Sequence, residues 1–162
     1  MVTKKLNQLL NEQIKHELDS AYLYLSMASY CESINLKGFA SWMKSQSKEE
    51  YEHAMKFYSF LHDRGADVDL LPIDKPPVKF KSINAVFEQA LSNEQKVTGL
   101  IHNLYKTALE EEDYPAQVML HWFIEEQVEE ENMVTEILDQ LKLGGDQGAA
   151  LLLMDRKLAE RE

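Results

Sequence analysis

The chain has 162 residues, 44% of them hydrophobic, and a formal net charge of −11, which predicts one folded domain over residues 1–162 and excludes a disordered chain. The acidic balance argues against nucleic-acid binding, because phosphate recognition needs clustered Lys and Arg side chains. No segment approaches the roughly 20 apolar residues of a membrane span. The absence of a secretory signal after Met1 and the presence of a single cysteine, Cys31, favour a cytoplasmic location.

Helical periodicity dominates the sequence, and strand signals are absent. Glycine and proline gather in a few places, and these places mark the breaks between helices. The predicted helices span about 4–32, 37–64, 82–111, 115–142 and, for a short fifth helix, 147–159.

The connections between the predicted helices set the topology. The first and second helices, and the third and fourth, are joined by a few residues, so each pair should be antiparallel. The link over 65–81 is about 16 residues long and reaches roughly 50 Å when extended, whereas the second helix is roughly 42 Å long. The sequence therefore predicts an all-α four-helix bundle over about 4–142, with one long crossover and a short C-terminal helix.

Each of the four long helices interrupts its apolar core stripe with an acidic residue near its middle. Residues in the middle of neighbouring helices meet at one level of a bundle, and burying several bare carboxylates together is costly. A pair of divalent or trivalent cations would compensate for that charge. Carboxylates with an imidazole and no thiolate suit iron or manganese, with zinc also open. The interrupting residues are Glu17, Glu50 with His53, Glu94 and Glu130.

These acids have two other interpretations. Any single glutamate could lie on a solvated face, and a network of protonated carboxylates could exist without metal. Four interrupted stripes at one level favour the metal centre over both alternatives, because half-satisfied polar networks are costly.

Three segments resemble the non-haem ferritins of bacteria and archaea, and the resemblance covers essentially the whole chain. A helix glutamate from each of two helices and a Glu-x-x-His motif from another are shared with ferritin-like bundles. A second Glu-x-x-His is replaced here by Gln127-Val128-Glu129-Glu130. The segments that carry the resemblance are His16-Glu17, 49–53 (Glu-Glu-Tyr-Glu-His) and 126–130 (Glu-Gln-Val-Glu-Glu).

The resemblance implies a di-iron centre inside each subunit. Glu17, Glu50 and His53 would bind one iron. Glu50 would bridge to a second iron held by Glu94 and Glu130, with Gln127 nearby.

The resemblance also implies accessory positions around the iron pair. Glu49, Glu126 and Glu129 resemble a third, transit iron site toward the inner surface, although solvation of a surface would explain them too. Tyr24 and Trp122 resemble aromatic residues that supply electrons during oxygen reduction. Core packing is the alternative explanation for both aromatic residues.

The implied activity is oxidation of Fe(II) by O2, followed by storage of an Fe(III) mineral inside a hollow shell of 24 copies. The run from Ala149 to Met154 is more apolar than a terminal helix of a monomer requires, which favours an interface between copies. In the family, the fifth helix packs at a four-fold axis. Folding back onto its own subunit is the alternative.

Related classes differ from this sequence at specific positions. Bacterioferritins bind haem through a Met that follows the metal-binding Glu, and that position is Tyr51 here, so no haem is expected. Rubrerythrins need a Cys-x-x-Cys iron site, which one cysteine excludes. Miniferritins place their ligands between subunits and lack the fifth helix. A metal-free interaction bundle and a di-metal oxygenase with an organic substrate stay open as other classes.

Overall fold

The computed structural model describes residues 1–145 and 148–161, and its secondary structure is entirely helical over that part of the chain. The predicted all-α bundle with a short fifth helix is confirmed, and the described helix ends lie within two residues of the predicted ones. The predicted start of the fifth helix at Gln147 lies outside the described residues. No helix in the described ranges has the length and mean hydropathy to cross a membrane. The helices are α1 (Lys4–Ser33), α2 (Lys37–Asp63), α3 (Ile83–Glu110), α4 (Tyr114–Gly144) and α5 (Gly148–Leu158).

Side-chain caps explain where three of the long helices begin. The side chains of Thr3, Ser82 and Asp113 each accept a hydrogen bond of 3.0 to 3.2 Å from the N–H three residues later. Helix α2 has no such local cap. Asp155 of α5 takes that role, because its carboxylate accepts a 2.9 Å hydrogen bond from the N–H of Phe39.

The segment between α2 and α3 runs along α1 in the same direction as that helix. Successive residues of this segment contact successive residues of α1, so the segment runs from one end of the bundle to the other. Helix α3 therefore starts at the opposite end from the end of α2, as the length of the link predicts. The contacting pairs are Asn11 with Asp69, Asp19 with Asp74, Ser26 with Pro77 and Tyr30 with Phe80.

The buried apolar side chains form two separate clusters, one toward each end of the bundle. One contains Leu6, Leu10 and Ile14 of α1, and the other contains Met27 and Ala28 of the same helix. Between the two clusters along α1 lies the buried, polar Glu17. The core is thus divided by a layer of polar side chains near mid-bundle.

Helix α5 packs on the N-terminal part of α2. A Cβ atom added at Gly38 would lie only 1.6 Å from the backbone oxygen of Asp155, so only glycine permits this approach. Leu158 is buried, whereas Leu152 and Leu153 are 56% and 65% exposed. One face of α5 therefore rests on its own subunit, and the opposite apolar face is uncovered in the single chain.

Candidate metal centre

Four helices deliver ionisable side chains to the polar layer between the two apolar clusters. Helix α1 supplies Glu17, α2 supplies Glu50 and His53, α3 supplies Glu94 and α4 supplies Glu130. The side chains of all five are buried, and His53, the most accessible, is 4% exposed. This is the arrangement expected when an acidic residue occupies a core position of each helix.

The ligand-type atoms of these residues converge in overlapping groups. Glu17, Glu50 and His53 each offer one atom within 4.8 Å of the others, and so do Glu50, Glu94 and Glu130. Glu50 belongs to both groups, so two adjacent cation positions would share its carboxylate. A third group joins His53 and Glu130 to the partly buried Glu126.

Several ligand atoms in this layer have no hydrogen-bond partner among residues 1–145 and 148–161. They are Glu17 Oε2, both oxygens of Glu50, Glu130 Oε1 and His53 Nδ1. A buried polar atom left unpaired costs about 1–3 kcal/mol, and a charged one costs more. Such atoms at one point fit a pair of cations, and oxygen donors with one imidazole suit iron, manganese or zinc.

The remaining oxygens of the outer carboxylates are held by side-chain amides. Gln127, expected near the second metal position, donates a hydrogen bond through Nε2 to Glu94. Such hydrogen bonds orient metal ligands and are a recurring part of metal sites. The donor–acceptor pairs are Gln13 to Glu17 at 2.8 Å, Gln46 to Glu130 at 2.8 Å and Gln127 to Glu94 at 3.3 Å.

Gln13 and Gln46 were not among the predicted site residues. A signal for Gln13 existed, because it lies four residues before Glu17 and side chains at that spacing face each other on a helix. Gln46 interrupts the core stripe of α2, but its partner Glu130 lies 84 residues away. No local pattern indicates that pairing.

Burial controls the protonation of the layer. It raises the pKa of Glu17 to about 7 and, together with the charge of Glu94, raises the pKa of Glu130 to about 8. Burial and then the Glu94 charge raise the pKa of Glu50 well above its usual range, whereas burial lowers the pKa of His53 to about 4. Without a cation, the acids therefore keep protons near neutral pH, and the imidazole stays neutral with a lone pair to donate.

The two aromatic residues expected beside the centre contact its ligands. Tyr24 is fully buried, and its hydroxyl donates a 2.5 Å hydrogen bond to Glu94. Burial and the charges of nearby acids raise the pKa of Tyr24 well above its usual range, so the phenol is protonated. The Trp122 ring meets the His53 ring edge-on at 5.4 Å, with the Lys56 ammonium 4.1 Å from the Trp122 centroid.

The three acids expected to form a transit site lie near one another, since burial and then the charges of Glu129 and Glu49 raise the pKa of Glu126, but they make different contacts. His53 Nε2 lies 3.9 Å from Glu126, which places that acid beside the ligand layer. Glu129 is exposed, and Glu49 is bound by Arg161. Within residues 1–145 and 148–161, no metal-type group contains Glu49 or Glu129.

Carboxylates and one histidine from four helices, meeting between two apolar clusters, define the class of carboxylate-rich metal-binding four-helix bundles. The sequence profile of the Ferritin-like domain matches residues 7–144. The chain belongs to the ferritin family.

Relatives of known kind cover nearly the whole chain. Bacterial non-heme ferritins from Staphylococcus aureus (strain USA300) and Staphylococcus haemolyticus (strain JCSC1435) are both 38% identical over 161 residues, covering 99% of this chain and 97% of each relative. A solved open pore ferritin from the archaeon Archaeoglobus fulgidus is 43% identical, with a TM-score of 0.99 and full coverage of both chains. A humanized archaeal ferritin is 43% identical, with a TM-score of 0.98, covering 100% of this chain and 98% of that one.

Proposed function

We propose that this chain is a ferritin subunit that binds two Fe(II) ions in the buried layer, oxidises them with O2 and passes the product inward for storage. The observation that carries the proposal is the set of unpartnered ligand atoms centred on Glu50, the residue common to two candidate cation groups. Iron is the substrate here, and the protein supplies the ligands that bind it and favour its oxidation.

Each helix side chain then has a defined task. Glu17 and His53 hold one iron, Glu94 and Glu130 hold the other, and Glu50 bridges both. Gln13, Gln46 and Gln127 act through the carboxylates that they hydrogen-bond, and are positioning residues. Fixing the ligands before the ions arrive reduces the reorganisation that binding requires.

The oxidation step follows from the ligand chemistry. Each Fe(II) loses one electron, and O2 accepts two electrons and two protons to give hydrogen peroxide. Hard carboxylate ligands stabilise Fe(III) relative to Fe(II), so the layer favours this direction. Complete reduction of O2 to two water molecules takes four electrons and four protons. With three Fe(II) ions supplying three electrons, we assign Tyr24, which is hydrogen-bonded to Glu94, as the donor of the fourth electron together with its phenolic proton.

Storage requires a transit route and a container. Glu126, beside His53, would receive the product first, and Glu49 and Glu129 would complete a third iron position on the way inward. The exposed Leu152 and Leu153 on α5 would be covered by other copies in a hollow homo-oligomer of 24 subunits. Light scattering tests the size of the oligomer. A monomer or dimer would exclude storage in a hollow shell and would leave the proposed oxidase activity unaffected.

The decisive experiment is an anaerobic Fe(II) titration followed by an O2 pulse, on the wild type and on Glu50→Ala. We expect two or three irons per subunit and rapid oxidation in the wild type, and loss of the fast phase in the variant. Glu52→Ala is the matched control, because Glu52 is an exposed acid on the same helix. Fast oxidation that survives Glu50→Ala, or no stoichiometric binding, would leave only the interaction bundle.

A further inference from the structure

Arg161, just beyond α5, binds the carboxylate of Glu49 on α2. Its Nη2 atom donates to both Glu49 oxygens, at 2.9 and 2.8 Å. The guanidinium also lies 4.9 Å from the ring centroid of Trp42, a buried residue about two helix turns before Glu49 on α2. The positively charged guanidinium of Arg161 therefore binds one of the three proposed transit ligands.

The negative charge of Glu49 acts on the other proposed transit acids, although both of its oxygens accept hydrogen bonds from Arg161. The charges of Glu129 and Glu49, after burial, raise the pKa of Glu126, and Glu49 contributes in the same sense to Glu130. The Glu49 side chain is 37% exposed, so an ion arriving from solvent can reach it. In the described part of the chain, however, Glu49 joins no metal-type group.

We propose that Arg161 is a latch that competes with the third iron ion for the Glu49 carboxylate, an inference that rests on the proposed transit site. While Arg161 is bound, Glu49 is neutralised and the third position lacks one ligand. An ion that binds Glu49 together with Glu126 and Glu129 must displace the guanidinium. The latch therefore weakens the third ion and leaves the two-iron layer, which contains neither residue, unaffected.

The geometry also indicates that the latch opens readily. Arg161 Nη1 is buried and has no acceptor among the described residues, so the bound arrangement leaves this donor unsatisfied there. The pair is partly accessible to solvent, with side-chain exposures of 18% and 37%, and pairs of this kind are weak. This coupling is reciprocal. An ion bound at the third position must weaken the contact between Arg161 and Glu49, and removal of Arg161 must raise the affinity for that ion.

The test is anaerobic calorimetric titration of Fe(II) into the assembled protein, comparing wild type with Arg161→Gln. We expect the third ion to bind roughly fivefold more tightly in the variant, a gain of the size expected when a partly exposed ion pair is lost, with the first two ions unchanged. Arg156→Gln is the matched control, because Arg156 is an exposed arginine on α5 that makes no ion pair among the described residues. Arg161→Lys keeps a positive charge beside Glu49 and should give a smaller gain.

Fluorescence supplies a readout that does not depend on oxidation. In a Trp122→Phe background the emission comes from Trp42, which lies under the Arg161 guanidinium. Redox-inert Zn(II) added beyond two equivalents should shift that emission as Arg161 leaves the ring. The same addition should produce no such step once Arg161→Gln is introduced.

The possible outcomes separate the latch from the function on which it rests. Equal third-ion affinity in wild type and Arg161→Gln, with that ion lost in Glu49→Gln, overturns the latch and preserves the transit site. Two ions in every variant overturn the latch and the transit site and preserve the two-iron centre. An equal gain in Arg156→Gln overturns the latch, because net charge alone would then explain the effect.

Discussion

Gln46 and Glu130 join α2 to α4 inside the metal layer. The Gln46 amide donates a 2.8 Å hydrogen bond to Oε2 of Glu130, and neither side chain is accessible to solvent. Oε1 of Glu130 has no hydrogen-bond partner in the described part of the chain. The Gln46 amide thereby fixes one oxygen and leaves the other for a cation. This hydrogen bond keeps the buried carboxylate in one orientation.

Replacing Gln46 with Leu should weaken the second metal position. The apolar side chain has a similar volume but cannot orient Glu130, so we expect a loss of about 10- to 100-fold in affinity for one of the two ions. Anaerobic calorimetric titration with Fe(II) measures the two steps. The control is Gln8→Leu, which changes an exposed glutamine of α1. Unchanged affinities in Gln46→Leu would mean that the hydrogen bond does not prepare the site.

The raised pKa values of the layer make the stability of the metal-free protein depend on pH. The pKa of Glu17 is about 7 and that of Glu130 about 8, against an ordinary value of 4.5. Their contribution to stability is fully present below pH 4.5 and is lost as pH rises through the folded pKa. His53 has the opposite sign: its pKa is about 4 against 6.5, so its contribution is lost only as pH falls from 6.5 through 4.

Above pH 6.5 the folded His53 is already neutral, so within the layer the carboxyl groups set the direction of the effect. The free energy of unfolding of the metal-free protein should fall by about 1.4 kcal/mol per pH unit for each carboxyl that still retains its proton. Chemical denaturation at pH 6.5 to 8.5 measures the slope, and Glu130→Gln should make it shallower. Bound Zn(II) should stabilise the protein more as pH rises. A flat profile for the metal-free wild type would contradict the protonated layer.

Tyr24→Phe should separate binding of iron from its oxidation. The substitution removes the hydroxyl that donates to Glu94 and keeps the ring in the core. We expect the stoichiometry of Fe(II) binding to be retained and the oxidation rate to fall roughly tenfold, as for other hydrogen-bonding partners of metal ligands. Stopped-flow absorbance after an O2 pulse measures the rate. Tyr30→Phe is the control, because Tyr30 packs on Phe80 away from the layer, and equal rates in both variants would assign Tyr24 to packing alone.

The sequence predicted those features that repeat locally. Apolar residues at helical spacing predicted the five helices, because each helix must bury one face along its length. Four acids interrupt this spacing and could therefore be identified from the sequence, and the structure brings them to one level. They are Glu17, Glu50, Glu94 and Glu130. The long crossover followed from chain length alone, since a segment of that size must either span the bundle or remain unpacked.

Contacts made by the C-terminal segment were beyond prediction from the sequence. Asp155 caps α2 at Phe39 across 116 residues, and Arg161 binds Glu49 across 112 residues. Neither pairing produces a repeating pattern in the sequence, because a single capping or ionic contact involves only one residue in each of the two segments. Glu49 therefore resembled a metal ligand in the sequence, while the folded chain holds it with an arginine.

The close approach of α5 to α2 depends on Gly38, and this gives a prediction about the whole C-terminal segment. In Gly38→Ala the new Cβ would lie 1.6 Å from the backbone oxygen of Asp155, and a backbone atom cannot move aside without moving its helix. We expect α5 to leave α2, releasing the Asp155 cap and the bond from Arg161 to Glu49. Hydrogen exchange over 148–161 should rise sharply.

Binding of two Fe(II) ions should survive Gly38→Ala, because every proposed ligand of the pair lies on α1 to α4. The third ion should bind more tightly, as is expected when Arg161 is removed. Gly99→Ala is the matched control: Gly99 lies within α3, its added Cβ meets no atom within 4 Å, and alanine favours a helix by about 1 kcal/mol. If exchange over 148–161 were the same in both variants, the contact at Gly38 would not be what holds α5 in place.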